Sequence, residues 1–362
     1  MSFSLLAAAL LLAPAVSADR LLGFNNAPLM ETRSIDEIYQ AALAEGGRVV
    51  LWHGGDEANQ QDALKKAFEA KFPNMTLDVT VDLSKYHDAR VDEQLASGNV
   101  TVDSVILQTV HDYPRWAQEG ALLNYAPAGF DQVHDAFKES ISAAYYGVEV
   151  FYWQSIWNTD KTDGAGFTTF ADYLRPEFKD KLVLTYPNDD DAVLFAFDMI
   201  MQRNGTKFLD DLLAQNPRWV RGTATPLTLV GQQNNSYAAT FTSAAGFKPE
   251  QQNINVTFPT DAMSVSWAQT GAIMAQAPHP EGAKLLHNYM LSTEFQESLG
   301  GWSVRRDVKD PEGVPDLWSS PNLNPTLFNQ WMENRANVER LRFWFESRIG
   351  TAGGLNPIVD DI

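Results

Sequence analysis

The chain has 362 residues, 44% of them hydrophobic and 20% charged, and it contains no cysteine. This composition excludes a disordered chain, a collagen repeat and a disulfide-stapled scaffold, and the missing thiols exclude thiolate zinc sites and cysteine nucleophiles. The 46 acidic and 27 basic side chains give a net charge of −19. A surface of that sign repels phosphate backbones and anionic lipid, so nucleic acid is not an expected partner.

The N-terminus predicts a signal peptide. Residues 4–16 form an apolar run broken only by Pro14, and small residues at 16–18 suit cleavage after Ala18. We therefore expect a signal peptide over 1–18, an N-terminal helical segment over 19–44, and a secreted, extracellular protein that would be periplasmic in a bacterium. No later segment approaches the ~20 apolar residues of a membrane span. A monomer without a stable membrane anchor is expected.

Five Asn-X-Ser/Thr sequons agree with passage through a eukaryotic secretory pathway, where they would carry glycans. Sequons also arise by chance, so a bacterial origin stays open on this evidence. Their asparagines are Asn74, Asn99, Asn204, Asn234 and Asn255.

The first half of the chain alternates strands with helices. Ser34 is placed to cap a helix that ends at Gly46 and Gly47. Strand patterns follow at 48–53, 76–83 and 104–109, with helical patterns between and after them at about 60–72, 86–97 and around Trp116. This alternation predicts parallel strands joined by right-handed crossovers.

A second α/β region is predicted after a break near Gly147. Its strand patterns lie at 148–157, 182–186, 237–241 and 263–267, and an apolar helical pattern covers 191–202. Further helices are predicted at 280–291, 293–299 and about 325–349.

Side chains directly after the strands are the first candidates for ligand contact, because open parallel sheets bind ligands at the carboxyl ends of their strands. The candidates chosen on this ground are Trp52, His53, Tyr86, Gln108, Thr109, Asn188 and Asp189.

Several segments in order resemble one family. The strand and glycine pair at 49–55 and the helix end at 67–73 look like the opening of extracellular solute-binding proteins. The stretches at 103–109, 116–123, 170–174, 179–182, 280–286, 292–296 and 302–307 resemble later parts of the same proteins. The resemblance covers about residues 45–310 and is strongest to the ferric-iron or thiamine-type binding components of ABC transporters, in a secreted, fungal-like relative.

This resemblance implies the α/β fold of type II periplasmic binding proteins, in which two lobes are joined by two crossing hinge strands. Lobe 1 would comprise 45–147 and 264–362, the latter with the C-terminal helices, and lobe 2 would comprise 148–263. It implies a binding protein that closes on its solute, not an enzyme.

Each candidate also has an ordinary structural interpretation. His53 can coordinate a metal, donate to an anion or cap a turn, and the segment 188–191 either caps a helix or attracts a cation. Trp153 and Trp267 can stack on a ligand or pack at the hinge, and Arg305 either meets an anion or forms a surface pair.

Tyr145 and Tyr146 have the oxygen donors that ferric iron prefers. In iron-binding relatives, however, the tyrosine pair lies in a lobe-2 segment whose counterpart here, 237–243, holds only Tyr237. Metal binding therefore stays undecided at this point, and Tyr146 is retained as a ligand candidate.

The sequence predicts a protein that captures a small cationic or aromatic solute, such as iron or a thiamine-like or polyamine-like compound. No cofactor and no catalytic residue is expected, because the chain has no Gly-X-Ser-X-Gly, His-Glu-X-X-His, Walker or dinucleotide motif. The alternative is a secreted carboxylate-dependent hydrolase, whose acids converge from distant parts of a chain.

Overall fold

The computed structural model describes residues 27–359. The predicted signal peptide lies outside the described residues. Strands are Leu29–Met30 (β1), Arg48–Gly54 (β2), Thr76–Asp82 (β3), Ser104–Leu107 (β4), Tyr125–Ala126 (β5), Tyr146–Tyr152 (β6), Gln154–Asn158 (β7), Val183–Thr185 (β8), Arg218–Val220 (β9), Ala239–Ser243 (β10), Ile254–Thr257 (β11) and Ser266–Ile273 (β12).

The α-helices of the described chain are Ile35–Glu45 (α1), Asp62–Lys71 (α2), Ser84–Ser97 (α3), Asp112–Gln118 (α4), Asp191–Asn204 (α5), Lys207–Ala214 (α6), Ala224–Gly231 (α7), Pro280–Met290 (α8), Thr293–Ser298 (α9), Leu327–Glu333 (α10) and Arg335–Ile349 (α11). The predicted N-terminal cap of α1 is confirmed, since Ser34 and Glu37 form a capping box.

Lobe 1 is built on a five-stranded sheet of order β3-β2-β4-β12-β6. β2, β3 and β4 are parallel as predicted, whereas β12 runs antiparallel to both β4 and β6. Alternate residues of β2 enter two different cores, Val49 and Leu51 on the face covered by α1, α2 and α8, and Val50 and Trp52 on the face covered by α3 and α4. The sheet is therefore buried on both faces, which explains its apolar strands.

Lobe 2 is built on a smaller sheet of order β10-β7-β11. The parallel pair β8-β9 joins it through a bridge between Leu182 and Ala239. Helices α5 and α6 cover one face, and α7 covers the other.

The predicted single strand over 148–157 is in fact two strands in two lobes. β6 pairs with β12 in lobe 1 and β7 pairs with β10 and β11 in lobe 2, with Trp153 between them. Trp153 donates its backbone N–H to the carbonyl of Val265, on the segment that returns to β12. The two crossings are thus side by side, and the first lies at Trp153 rather than at the predicted boundary of 148.

The C-terminal helices require a correction. The prediction assigned them to lobe 1 within 264–362, but α10 and α11 pack on the lobe-2 core through Phe328, Met332, Val338 and Phe345. The indole of Trp331 also donates to Asp198 of α5 at 2.8 Å. The predicted continuous helix is divided at Asn334, whose side chain caps α11.

A polar group of three side chains lies inside the lobe-1 core. His287 contacts Ser104 Oγ through Nε2 at 2.7 Å and the Tyr146 hydroxyl through Nδ1. All three side chains are buried, and burial lowers the pKa of His287 to about 3. The imidazole is therefore neutral in the folded protein at ordinary pH.

We expect this histidine to make the protein acid-sensitive. Unfolded histidine binds a proton near pH 6.5 but folded His287 only near pH 3, so acidification from pH 6.5 to 5 favours unfolding by about 2 kcal/mol for this residue. Urea unfolding at pH 7 and pH 5 measures the effect. His287→Gln should lower stability at pH 7 yet lose that share of the pH dependence, and an unchanged pH dependence would contradict the assignment.

Candidate functional site

A cleft lies between the two lobes, next to the crossings. It encloses about 610 Å³, including the part open to solvent. Lobe 1 contributes residues that follow β2, β3 and β4, and lobe 2 contributes the start of α5 and the residues after β9. The carboxyl ends of the parallel strands thus face the cleft, as expected for an open α/β sheet.

The lobe-1 wall depends on a close backbone approach. Gly54 ends β2 beside the first residue of α3, and a side chain on Gly54 would collide with Ser84 Oγ. Ser84 Oγ accepts a hydrogen bond from the backbone N–H of Gln108 at 2.9 Å. This contact fixes Gln108 and Thr109 at the cleft edge of β4.

Three aromatic side chains line the cleft at the crossings. Phe151 and Trp267 are stacked with ring centroids 5.5 Å apart, and Trp153 meets Trp267 edge-on at 5.2 Å. Both tryptophans are more than nine-tenths buried. The indole N–H groups of Trp153 and Trp267 and the Thr109 hydroxyl have no hydrogen-bond partner within residues 27–359.

Two of the four carboxylates in the cleft are neutralised by basic side chains. Asp189 accepts from Lys85 Nζ at 2.6 Å and from Arg221 Nε at 2.8 Å. Burial raises the pKa of Asp189, but Arg221 and Lys85 outweigh it and leave that pKa below its usual range. Asp191 pairs with Arg342 and, at 3.5 Å, with Arg335.

The other two carboxylates, Asp56 and Asp190, have no ion-pair partner in the described part of the chain. Asp56 Oδ2 accepts from the backbone N–H and the hydroxyl of Thr223 at 2.6 and 2.5 Å. Asp190 caps α5 by accepting from the Val193 N–H at 2.8 Å. Burial, and next the charge of Asp56, raises the pKa of Asp190 to about 7.

Direct contacts between the lobes form a seam at the mouth of the cleft. Lys85 of lobe 1 reaches Asp189, and Tyr86 accepts from Arg221 Nη2 at 3.0 Å. The pairs Asp56–Thr223 and Asp82–Asn356 complete the seam. The lobe-1 partners therefore lie directly after β2, at the end of β3 and in the first turn of α3.

Four of the predicted ligand residues line the cleft, namely Gln108, Thr109, Asp189 and Trp267. Tyr86 lies at the seam instead, where it binds Arg221. Asp189 is fully engaged by Lys85 and Arg221 and therefore holds the lobes together. Whether Gln108, Thr109 and Trp267 touch a ligand stays a prediction.

The other five predicted ligand residues lie outside the cleft. His53 is fully buried and contacts the Gly54 carbonyl and Glu149, while Trp52 stacks on His87 at 5.2 Å. Tyr146 faces His287 in the lobe-1 core because β6 directs it inward.

Asn188 and Arg305 are held by contacts of their own. Asn188 donates to the Gly350 carbonyl at 3.1 Å. Arg305 donates to both Asp307 oxygens and to the Leu291 carbonyl, and it lines a different cavity of lobe 1.

Several residues that line the cleft were not among the predicted ligand residues. Asp190 adjoins Asp189 in the same acidic run, and Asp56 follows the first strand, so their positions in the sequence could have identified both. Arg342 comes from α11, and no local pattern connects that helix with the cleft. No group of three or more His, Asp or Glu side chains is placed to hold a metal ion within residues 27–359.

Comparison with known proteins identifies a family. A family model for bacterial extracellular solute-binding proteins matches residues 63–324, more than two-thirds of the chain. No curated protein sequence matches. Among solved structures, the periplasmic binding protein AfuA from Actinobacillus pleuropneumoniae, with fructose-6-phosphate bound, has a TM-score of 0.67 at 17% identity, covering 85% of this chain and 100% of AfuA.

Two further solved structures bind or are named for other solutes. Iron-bound HitA from Pseudomonas aeruginosa has a TM-score of 0.60 at 13% identity, covering 82% of this chain and 99% of HitA. A Listeria monocytogenes protein named for a spermidine/putrescine ABC transporter has a TM-score of 0.58 at 16% identity, covering 84% of this chain and 100% of the Listeria protein. These likenesses show the fold, the two-lobed α/β fold of type II periplasmic binding proteins, and do not select a ligand.

We expect Asp189 to control the separation of the lobes. In Asp189→Asn, Lys85 and Arg221 face each other across the seam without their shared anion, so the radius of gyration in solution scattering should increase and stability should fall by about 1–3 kcal/mol. Asp210→Asn is the matched control, because it breaks an exposed lobe-2 pair with Arg348 that is worth about 0–1 kcal/mol. Equal scattering for both variants would contradict the prediction.

Proposed function

Because the chain belongs to the bacterial extracellular solute-binding proteins, we propose that its cleft captures a small organic cation as the two lobes close. The observation that carries this proposal is the pair Asp56 and Asp190. Both line the cleft, and neither has a basic partner in the described chain. Uncompensated carboxylates in a partly desolvated cleft favour a ligand that brings positive charge.

The aromatic side chains support an organic rather than a metallic cation. Phe151, Trp153 and Trp267 line the same cleft as the two acids, and an ammonium or an aromatic cation over an aromatic ring gains about 0.5–2 kcal/mol. A thiamine-like or polyamine-like compound fits this environment better than iron.

The unpaired donors add a second requirement. The indole N–H groups of Trp153 and Trp267 can only donate, and a buried donor without a partner costs about 1–3 kcal/mol. An acceptor on the solute would remove this cost. A cation that also carries an acceptor atom, such as the hydroxyl oxygen or a ring nitrogen of thiamine, should therefore bind more tightly than a polyamine, whose protonated amines only donate.

Thermal unfolding with a panel of solutes tests this function. We expect a rise in melting temperature with thiamine, spermidine, putrescine, choline or glycine betaine, and none with fructose-6-phosphate, because binding to the folded state alone stabilises it. Asp190→Asn should weaken binding of the active compound at least about 10-fold. Asp36→Asn, on the exposed face of α1, is the control and should leave binding unchanged.

The pH supplies a further arm of the same test. Only the ionised form of Asp190 attracts a cation, so affinity should rise about 10-fold between pH 6 and pH 8 and be less pH-dependent in Asp190→Asn. Stabilisation by fructose-6-phosphate alone, with no response to any cation, would overturn the proposal.

We also propose that the protein is secreted and glycosylated. All five sequon asparagines are exposed, Asn74 and Asn99 on lobe 1 and Asn204, Asn234 and Asn255 on lobe 2, and none lines the cleft. Among residues 27–359, no helix combines the length and apolar character needed to cross a bilayer.

Expression in a eukaryotic secretory host tests both points. The protein should appear in the medium, begin at Asp19, and lose mass on treatment with an N-glycosidase. Asn→Gln substitution at the five sequons is the control, since it should abolish the mass change without changing the response to solutes. Intracellular retention of a protein that begins at Met1 would contradict the prediction.

A further inference from the structure

The chain continues past the last helix and runs along the seam between the lobes. After α11 ends at Ile349, residues 350–359 are held first by lobe 2. Asn188 donates to the Gly350 carbonyl at 3.1 Å, and Arg221 Nη1 donates to the Leu355 carbonyl at 3.3 Å. Arg221 is also the residue that binds Asp189 and Tyr86, so this segment is attached to the centre of the seam.

The same segment then reaches lobe 1 through Asn356. Its side-chain Nδ2 donates to Asp82 Oδ1 at 3.1 Å, and its own Oδ1 accepts from the Ile358 N–H at 3.1 Å. The second bond fixes the amide so that its donor faces Asp82. Asp82 ends β3, is nine-tenths buried, and is held in place by Arg90 and the Leu83 N–H.

Pro357 fits the segment closely against lobe 2. It is buried, and a Cβ added to Gly222 would lie 2.8 Å from the Pro357 Cβ. Gly222 has a φ of 75°, which a residue with a side chain rarely adopts. Its neighbour Thr223 donates to Asp56 across the cleft, so Pro357 lies against the turn that makes this contact.

We propose that residues 350–359 form a strap that holds the lobes in the closed arrangement, with Asn356 and Pro357 as its positioning residues. The strap is anchored on lobe 2 by Asn188 and Arg221, and its bond to lobe 1 is the one between Asn356 and Asp82. Opening the cleft must break this bond, and closing restores it. The strap acts on the lobes themselves, so the proposal does not depend on which solute is bound.

The missing cysteines permit a direct test. Ala96 on lobe 1 and Lys179 on lobe 2 are exposed, so each can be replaced by cysteine and spin-labelled. The distance between the two labels in Ala96→Cys/Lys179→Cys then reports the separation of the lobes without any solute. Asn356→Asp places a second carboxylate against Asp82. We expect the ratio of open to closed protein to rise about 10-fold at pH 7.5, and Asn356→Ala to shift it in the same direction by less.

A rescue and a matched control separate the strap from general destabilisation. Asp82→Asn in the Asn356→Asp background restores an amide–carboxylate pair with the roles exchanged and should return the distance to that of the unmodified protein. Asn253→Asp makes the same change against Asp160 within lobe 2, where Asn253 Nδ2 donates at 3.1 Å, and should leave the distance unchanged.

The proposal falls if Asn356→Asp leaves the distance unchanged, if Asn253→Asp changes it equally, or if Asp82→Asn fails to rescue it. These results would not affect the proposed capture of a cation, which the solute panel tests separately. Because Asn356→Ala introduces no charge, it keeps the proposal testable if Asn356→Asp does not fold.

Discussion

The side-by-side crossing of the chain at Trp153 and Val265 is the constraint on which the cleft depends. The two segments share a backbone hydrogen bond, and each continues into a strand of lobe 1, β6 or β12. Because β6 and β12 pair with each other, the crossings cannot separate when the lobes move. The aromatic side chains beside the crossings therefore form a part of the cleft that keeps its position, whereas the polar residues of the seam lie where the lobes can separate.

The charges of the cleft divide into two groups with different roles. Asp189 and Asp191 are occupied by Lys85, Arg221, Arg335 and Arg342, and they hold the protein together. Within residues 27–359, the partners of Asp56 and Asp190 are neutral donors alone. A simple count of acids would treat the four as equivalent, but their hydrogen-bond partners separate the two that are paired with basic side chains from the two that are not.

The sequence allowed the parallel strands β2, β3 and β4 and the helices that connect them to be predicted, because cap residues, glycine pairs and the two hydrophobic periods are local signals. The elements β9, β11, α6 and α7 of lobe 2 were not predicted. It also placed Asp189 and Trp267 at the cleft. The division of 148–157 at Trp153 was hidden, since both halves are apolar strands and nothing local marks a change of sheet. Tyr146 was misjudged because the direction of its side chain depends on packing against a distant helix, α8. Arg342 was missed because its position at the cleft depends on another distant helix, α11.

Asp190 serves the helix and the cleft at the same time. Its carboxylate caps α5 while lying near Asp56 at a partly buried position, so the ligand-free protein bears an electrostatic penalty that a better-packed neutral cap would avoid. Selection for stability alone would remove this penalty. Its presence at the start of a buried lobe-2 helix means that the protein gives up some folding stability to keep a carboxylate in the cleft.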